Sequence, residues 1–435
     1  MKNIKSLLLT IIVLALGSGA YAQKVLTIDE AMALALKNNF DISVSKSEAA
    51  ISATNNTAGA AGMLPSINLT GSGNYALKQT GSKASENEEY TNQQNGIATL
   101  NAGAELSWTI FDGGKMFVAK SKLNEIEALG EIRYKEQVLQ TLADVISAYY
   151  NVVKQKQQLA AIEQIIKYNS ERVTIAETAF KTGSKSKTDL LQAKIDLNVN
   201  QQNAINQKTA IETARRELAR KLVTDSNFDV SSEVTFNYTP DRDELNQRIY
   251  TQNATIQAFE KQLAIEKLQL KENYRTLLPQ VNLSGGYYFQ HITNNNLDAD
   301  NRSQSRSLWP QIGASMVIPI FRAGNLQRQV ALSKIEVDIA QYNLENTRNQ
   351  VNTELLNALN TFESQQQLLT IEKENNELAR ENLDISLQRM RLGEATSLEV
   401  RMAQNDFEES ATRLTNYRYA LKIAETRLKQ LLGEL

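Results

Sequence analysis

The chain has 435 residues, no cysteine, one histidine and a formal net charge of −2. Without cysteine there is no disulfide, no thiolate metal site and no lipid-bearing cysteine. The near-neutral balance argues against a nucleic-acid partner, which calls for a basic patch. A lone His291 leaves a Ser-His-Asp triad or a His-rich zinc site nothing further to use.

In chain order, Lys2 and Lys5 precede an apolar run, Leu7 to Leu16, and then Ala20-Tyr21-Ala22. This is the order of a secretory signal, with cleavage expected after Ala22. The run is too short to be a spanning helix, which takes about 20 apolar residues. Removing residues 1–22 takes away two lysines and no acid, leaving the mature chain at −4. No later stretch is apolar enough for a spanning helix. Any membrane span must then be a β-barrel, the other structure that satisfies its own backbone in lipid.

The remainder is one unit written twice. Leu64-Pro65-Ser-Ile-Asn68-Leu69-Thr-Gly71 returns as Leu278-Pro279-Gln-Val-Asn282-Leu283-Ser-Gly285. Ile110-Phe111-Asp-Gly-Gly114 returns as Ile320-Phe321-Arg-Ala-Gly324. The expected organisation is a first repeat over 23–222, a linker over 223–241 and a second repeat over 242–435. Each half should begin with a helix, about 28–63 and 242–277. Thr27-Ile-Asp-Glu30 has the spacing of a capping box.

Two strands per half follow, about 66–77 with 98–111 and 281–290 with 308–320. Between 98 and 111 the even positions are apolar, including Leu100, Leu106 and Trp108. The odd positions, including Asn101, Glu105 and Thr109, are polar or glycine. Such apolar-out, polar-in alternation marks barrel strands, at about the 9–11 residues needed to cross. Polar stretches 78–97 and 291–307 are expected as loops, with His291 in the second. Gly71-Ser-Gly73 lies inside an alternating strand, so its likeness to a dinucleotide fingerprint is a chance match.

Long helices come next, about 115–181 and 325–391. Both are free of proline, which costs about 3 kcal/mol inside a helix. At 1.5 Å per residue each would reach roughly 100 Å. Val351, Leu355, Ala358, Phe362 and Leu369 follow a heptad-like seam, as do Val145, Ala148, Val152 and Leu159. The seams are thin and the other faces polar, as suits a helical wall wet on two sides. Shorter helices, about 189–222 and 397–432, close the halves after a glycine turn.

Four strands cannot close a membrane barrel, because the smallest have about eight. Copies of the chain must therefore pool their strands. Two chains give eight and three give twelve, and strand number alone does not choose. The fold class expected is mainly α: a long antiparallel coiled-coil tunnel plus four strands per chain in an oligomeric barrel. The longer loops of outer-membrane barrels face outward, so the helices belong in the periplasm.

These features together resemble the TolC-like outer-membrane efflux family over nearly all of the mature chain. The likeness rests on the repeat, the Leu-Pro strand entries, the strand exits at 110–114 and 320–324, and two hairpin turns. The turns are Phe180-Lys-Thr-Gly183 leading to Asp189, and Met390-Arg-Leu-Gly393 leading to Glu399. The resemblance implies a homotrimer with a twelve-stranded barrel. It also implies a periplasmic adaptor (membrane fusion) protein, and an inner-membrane pump such as an RND or ABC transporter. It places adaptor contact at the tips, Thr182, Gly183, Leu392 and Gly393, although a glycine after a helix is commonly a cap. It further implies acids ringing the closed inner mouth. Glu399 and Met402 stand at the matching positions, so this chain keeps one acid and one thioether, and Asp189 is the equivalent in the first half. A ring of such carboxylates favours cations.

The expected function is passive conduction of small molecules from periplasm to exterior as the exit duct of a tripartite efflux system. An exit duct of a type I protein secretion system has the same architecture, and a periplasmic coiled-coil spacer with no pore is the reading from another class. No enzymatic activity, cofactor or metal is expected.

Overall fold

A computed structural model describes residues 24–82, 91–296 and 301–435. The signal expected over residues 1–22 lies outside them. The elements are β1 (Lys24–Leu26), α1 (Ile28–Asn38), α2 (Phe40–Asn55), β2 (Ser66–Ser82), β3 (Thr91–Phe111), α3 (Lys115–Lys181), α4 (Lys187–Leu222), β4 (Phe228–Val230), α5 (Arg242–Gln252), α6 (Ala254–Arg275), β5 (Gln280–Asn296), β6 (Asn301–Val317), α7 (Asn325–Arg391) and α8 (Ser397–Leu432). The two long helices have the predicted bounds.

Three expectations are corrected. The first helix of each half is two helices. Asn39 ends α1, and its side-chain oxygen accepts from the N–H groups of Asp41 (2.9 Å) and Ile42 (3.3 Å) to start α2. Its amide donates to the Lys221 carbonyl at the end of α4, at 2.9 Å. Asn253 repeats the device between α5 and α6. It accepts from Ile256 N–H at 3.1 Å and donates to the Leu431 carbonyl of α8 at 2.9 Å. An asparagine here is both an N-cap and a clamp on a carbonyl that the helix end leaves unsatisfied.

The strands also run longer than predicted, into the segments read as loops. His291 therefore lies within β5; of the segments expected as loops, 83–90 and 297–300 lie outside the described residues. The period-two pattern fades there because polar residues occupy both faces. Finally, the linker contains β4, which pairs in parallel with β1.

The chain forms two compact units. One comprises residues up to Ser47, Arg133–Gln257 and Thr347–Leu435; the other comprises Glu48–Ile132 and Ala258–Asn346. Each draws on both halves of the sequence. In the first unit, Val145, Tyr149, Val152, Leu218, Leu222 and Val230 form a buried core with Leu26 and Ala31. The Tyr149 hydroxyl donates to the Leu26 carbonyl at 2.9 Å, which ties the small sheet to α3. Burial pushes that phenol up to about 12. Lys156 holds Asp229 with both carboxylate oxygens at 2.8 Å. The heptad positions Val351, Leu355, Ala358, Phe362 and Leu369 are all buried, as predicted for a coiled-coil seam. Thr27 makes its reciprocal capping box with Glu30.

The second unit contains one antiparallel sheet of order β2-β3-β5-β6. Beside it, Leu129 of α3 packs on Ala258 and Ile265 of α6. Lys122 of α3 donates to Glu272 of α6 at 2.5 Å. The exit from β3 turns at Gly113 (φ +73°), where an added Cβ would meet the Leu278 Cβ at 2.5 Å and the Arg275 carbonyl at 2.7 Å. At the corresponding exit of the second half stands Ala323, also left-handed at φ 51°.

Candidate functional site

Two regions can serve a conduit: the sheet, with its two faces, and the helical hairpin turns. Directly paired residues of an antiparallel sheet point to the same side, so the register sorts the side chains. One face carries Ile67, Leu69, Tyr75 and Leu77 of β2, and Ala98, Leu100, Ala102, Ala104 and Leu106 of β3. It continues through Leu283, Tyr287 and Phe289 of β5 to Ala314, Ile312 and Leu308 of β6. These side chains are uncovered: Leu69 is 86% and Ile312 81% exposed.

The other face carries Asn68, Ser72, Asn101, Glu105, Asn282, Ser284 and Gln290. Its groups bond to one another. Gln290 donates to Asn101 at 3.0 Å, Asn101 to Ser72 at 3.3 Å and Thr109 to Asn282 at 2.9 Å. Tyr288 and Trp309 stack on this face, with ring centroids 5.7 Å apart.

Both outer strands, β2 and β6, have an unpaired edge. Pro310 sits on β6 without harm, because an edge strand has one row of N–H groups outside the ladder. Long, uncovered edges seek another strand, and in lipid an open edge is not allowed. Among the described residues no helix is long and apolar enough to cross a membrane.

At the first hairpin turn, Gly183 adopts φ +74°, and its N–H bonds the Phe180 carbonyl at 3.0 Å. Ser186 then caps α4: its hydroxyl accepts from the Asp189 N–H at 3.3 Å and donates to the Asp189 carboxylate at 2.9 Å. The second turn repeats this with Gly393 at φ +80° and Thr396 accepting from Glu399 N–H at 3.2 Å. Asp189 and Glu399 thus occupy the first turn of a helix, where a negative charge is favoured by the helix dipole.

Thr182, Gly183, Leu392, Gly393, Glu399 and Met402 are exposed, Leu392 to 74% and Met402 to 61%, and Asp189 is half-buried. Val400, Ala403 and Phe407 of α8 face inward against Leu387 and Met390 of α7. Glu399 and Met402 therefore lie on the opposite, uncovered side of α8. Leu190 and Ala193 make the equivalent inner face of α4 against Ala176.

A polar joint between the hairpins is not visible in the sequence. Arg172 of α3, only 1% exposed, pairs with Asp196 of α4 and donates to the Gln404 carbonyl oxygen of α8 at 2.6 Å. Arg391, at the end of α7, pairs with Glu171 of α3. These contacts hold both hairpins of one protomer together. Their partners are far apart in sequence, so no local spacing announces them.

The comparisons agree with this geometry. The model of the outer membrane efflux protein family matches residues 31–222 and 245–434, and the chain belongs to that family. Among curated proteins it is similar to the proteases secretion protein PrtF of Dickeya chrysanthemi, 19% identical over 99% of this chain and 92% of the relative. Among solved structures it is similar to the CmeC outer membrane channel of Campylobacter jejuni. That match has a TM-score of 0.76 and 19% identity, over 94% of this chain and 85% of the other. It also resembles the outer membrane protein VceC of Vibrio cholerae, with a TM-score of 0.73 and 18% identity over 93% and 96%.

The protein is an outer-membrane efflux channel whose helices extend into the periplasm. Members of the family are trimeric channels that work with an adaptor and an inner-membrane pump. The spacer reading is thereby set aside.

Proposed function

We propose that three copies of this chain pool their sheets into one twelve-stranded barrel and act as the passive exit duct of a tripartite efflux system. Small molecules pass from an adaptor and a pump of the RND or ABC class to the exterior. The observation that carries the proposal is the four-stranded sheet, apolar on one face, polar on the other and open at both edges. Three such sheets close a wall with the polar face inward. The protein itself catalyses nothing; the pump supplies the energy.

Residues 1–22 are the export signal, and 23–222 and 242–435 are two copies of one ancestral unit joined by 223–241. The matching clamps of Asn39 and Asn253 support that reading. The tips at Thr182, Gly183, Leu392 and Gly393 meet the adaptor. Their exposure and tight glycine geometry suit docking against another helical tip. Glu399, with Asp189 and Met402 nearby in the hairpins, forms the constriction at the inner mouth. Replacing Glu399 with Ala should reduce cation preference in single-channel recordings. An unchanged preference removes this residue from the constriction.

A second reading is favoured by one observation, the similarity to a protein named for protease secretion. In that reading the cargo is a polypeptide. A deletion strain separates the two: drug hypersensitivity supports small-molecule efflux, whereas loss of a secreted protein with normal drug tolerance supports the secretion duct.

A further inference from the structure

The apolar face of the sheet changes character along β5 and β6. On β6 the residues of that face run from Met316 through Ala314, Ile312 and Pro310 to Leu308, and the partners on β5 include Val281, Leu283, Tyr287 and Phe289. At about 3.3 Å per residue the run from Met316 to Leu308 covers roughly 26 Å along the strand. An outer-membrane barrel needs an apolar band about 25 Å tall. The next pair on the same face is His291 opposite Arg306, and the pair after it is Thr293 opposite Gln304. This end of the hairpin is the one remote from α6 and α7 in the chain, so it is the end that reaches the outer leaflet.

Arg306 is exposed and lies over the Phe289 ring, 6.0 Å from its centroid. The guanidinium itself thus caps the last ring of the apolar band, at its rim, as cationic heads do at an interface. Among the described residues of the sheet the one carboxylate is Glu105, which belongs to the opposite face. No ion pair engages Arg306 among the described residues. Beside it, the Nδ1 atom of His291 is buried without a hydrogen-bond partner, and its Nε2 lies 3.4 Å from the Thr293 hydroxyl, so Arg306 is the group of the pair that is free to meet a ligand.

A cation costs about 2–4 kcal/mol at the bilayer midplane and little at the interface. An unpaired guanidinium at the rim of a lipid-facing surface is therefore matched to the interface and its anions. The planar guanidinium fork fits phosphate oxygens two at a time.

We propose that Arg306, with His291 beside it, docks the phosphate-bearing headgroup of a lipid in the outer leaflet. The apolar band below takes the acyl chains, and the Arg306 guanidinium takes the phosphate. Arg302 falls on the same face further along, opposite Asn295. Asp298 and Asp300 adjoin it in sequence, so the site is confined to Arg306 and His291. The inference rests on the proposed barrel, with its apolar face toward lipid.

The test uses the assembled protein in phosphatidylcholine nanodiscs doped with either diphosphoryl lipid A or its dephosphorylated form. Retained lipid is counted by native mass spectrometry. The phosphorylated form should be retained about five-fold over the other, the effect of roughly one interfacial cation. The double variant Arg306→Gln, His291→Gln should bring the ratio to one, and Arg306→Lys, which keeps the charge but not the fork, should give a ratio between one and that of the wild type. Lys78→Gln, on the opposite face opposite Asn95, should change nothing. Equal retention of the two lipids by the wild type, or selectivity unaltered in the double variant, overturns the proposal. If the double variant fails to assemble, the wild-type ratio and the Lys variant decide. Loss of retention with equimolar inorganic phosphate also overturns it, since the site would then take free phosphate. Should the lipid-facing reading itself fail, neither lipid would be retained at all.

Discussion

Two turns of identical role solve the same problem with different residues. Gly113 is held at φ +73° against Leu278, whereas Ala323 takes φ 51° where no glycine is provided. A left-handed non-glycine residue costs roughly 1–2 kcal/mol. Ala323→Gly should therefore raise stability by up to about 1 kcal/mol, after the added chain entropy of glycine is subtracted. Gly113→Ala should lower it by about 2–4 kcal/mol, because the new methyl meets packed atoms as well as strain. Thermal melts of the detergent-solubilised variants measure both signs.

Asp229 gives a pH dependence. Burial pushes its carboxyl up, but the Lys156 ammonium and the Val230 N–H outweigh this and hold it below the usual carboxylate range. A depressed folded-state value means the contribution is complete above the unfolded value, about 3.9, and is lost as pH falls through the folded one. Asp229→Asn should lower the melting temperature at pH 7, and the gap to wild type should narrow below about pH 4. A constant gap would show that the pair contributes through shape and not through charge.

Among the elements, legibility followed the period of the pattern. Long proline-free helices were readable to their ends, because 67 residues of one composition leave little choice. The breaks at Asn39 and Asn253 were not, since a single capping residue disturbs no apolar period. Asn38-Asn39 and Asn253 were the only local signals. The strand ends beyond the apolar band were missed for a related reason. Once both faces meet water, alternation no longer distinguishes strand from loop. The three-residue strands β1 and β4 are too short to show a period at all. The tips were legible through their glycines, whereas the Arg172 joint depends on tertiary pairing with Asp196 and Gln404.

The faces of the sheet carry a matched pair of predictions. Ile312→Arg puts a cation on the apolar face and should cost about 2–4 kcal/mol per chain near the midplane, enough to prevent assembly in the membrane. Asn101→Lys, on the polar face, should leave assembly intact and shift the channel toward anions. Heat-modifiable gel mobility reports the first, and reversal potentials in a salt gradient report the second. Equal damage from both would mean the two faces are not lipid and lumen.

At the scale of the whole molecule the decisive feature is incompleteness. A sheet of four strands with both edges open can be stable in lipid only if another copy continues it. Everything functional depends on that continuation: the lumen, and with it the proposed ring of Glu399 and rim of Arg306, are properties of the assembly. The natural chain contains no cysteine, so the joint between protomers can be trapped without background. One cysteine on the outer edge of β2, at Leu69, is combined with single cysteines stepped along β6 from Leu308 to Met316, and the membranes are mildly oxidised. The predicted result is cross-linking at one register of β6, with a covalent ladder that ends at three chains. Chains that remain single at every register, or a ladder closing at another number, would contradict the shared barrel.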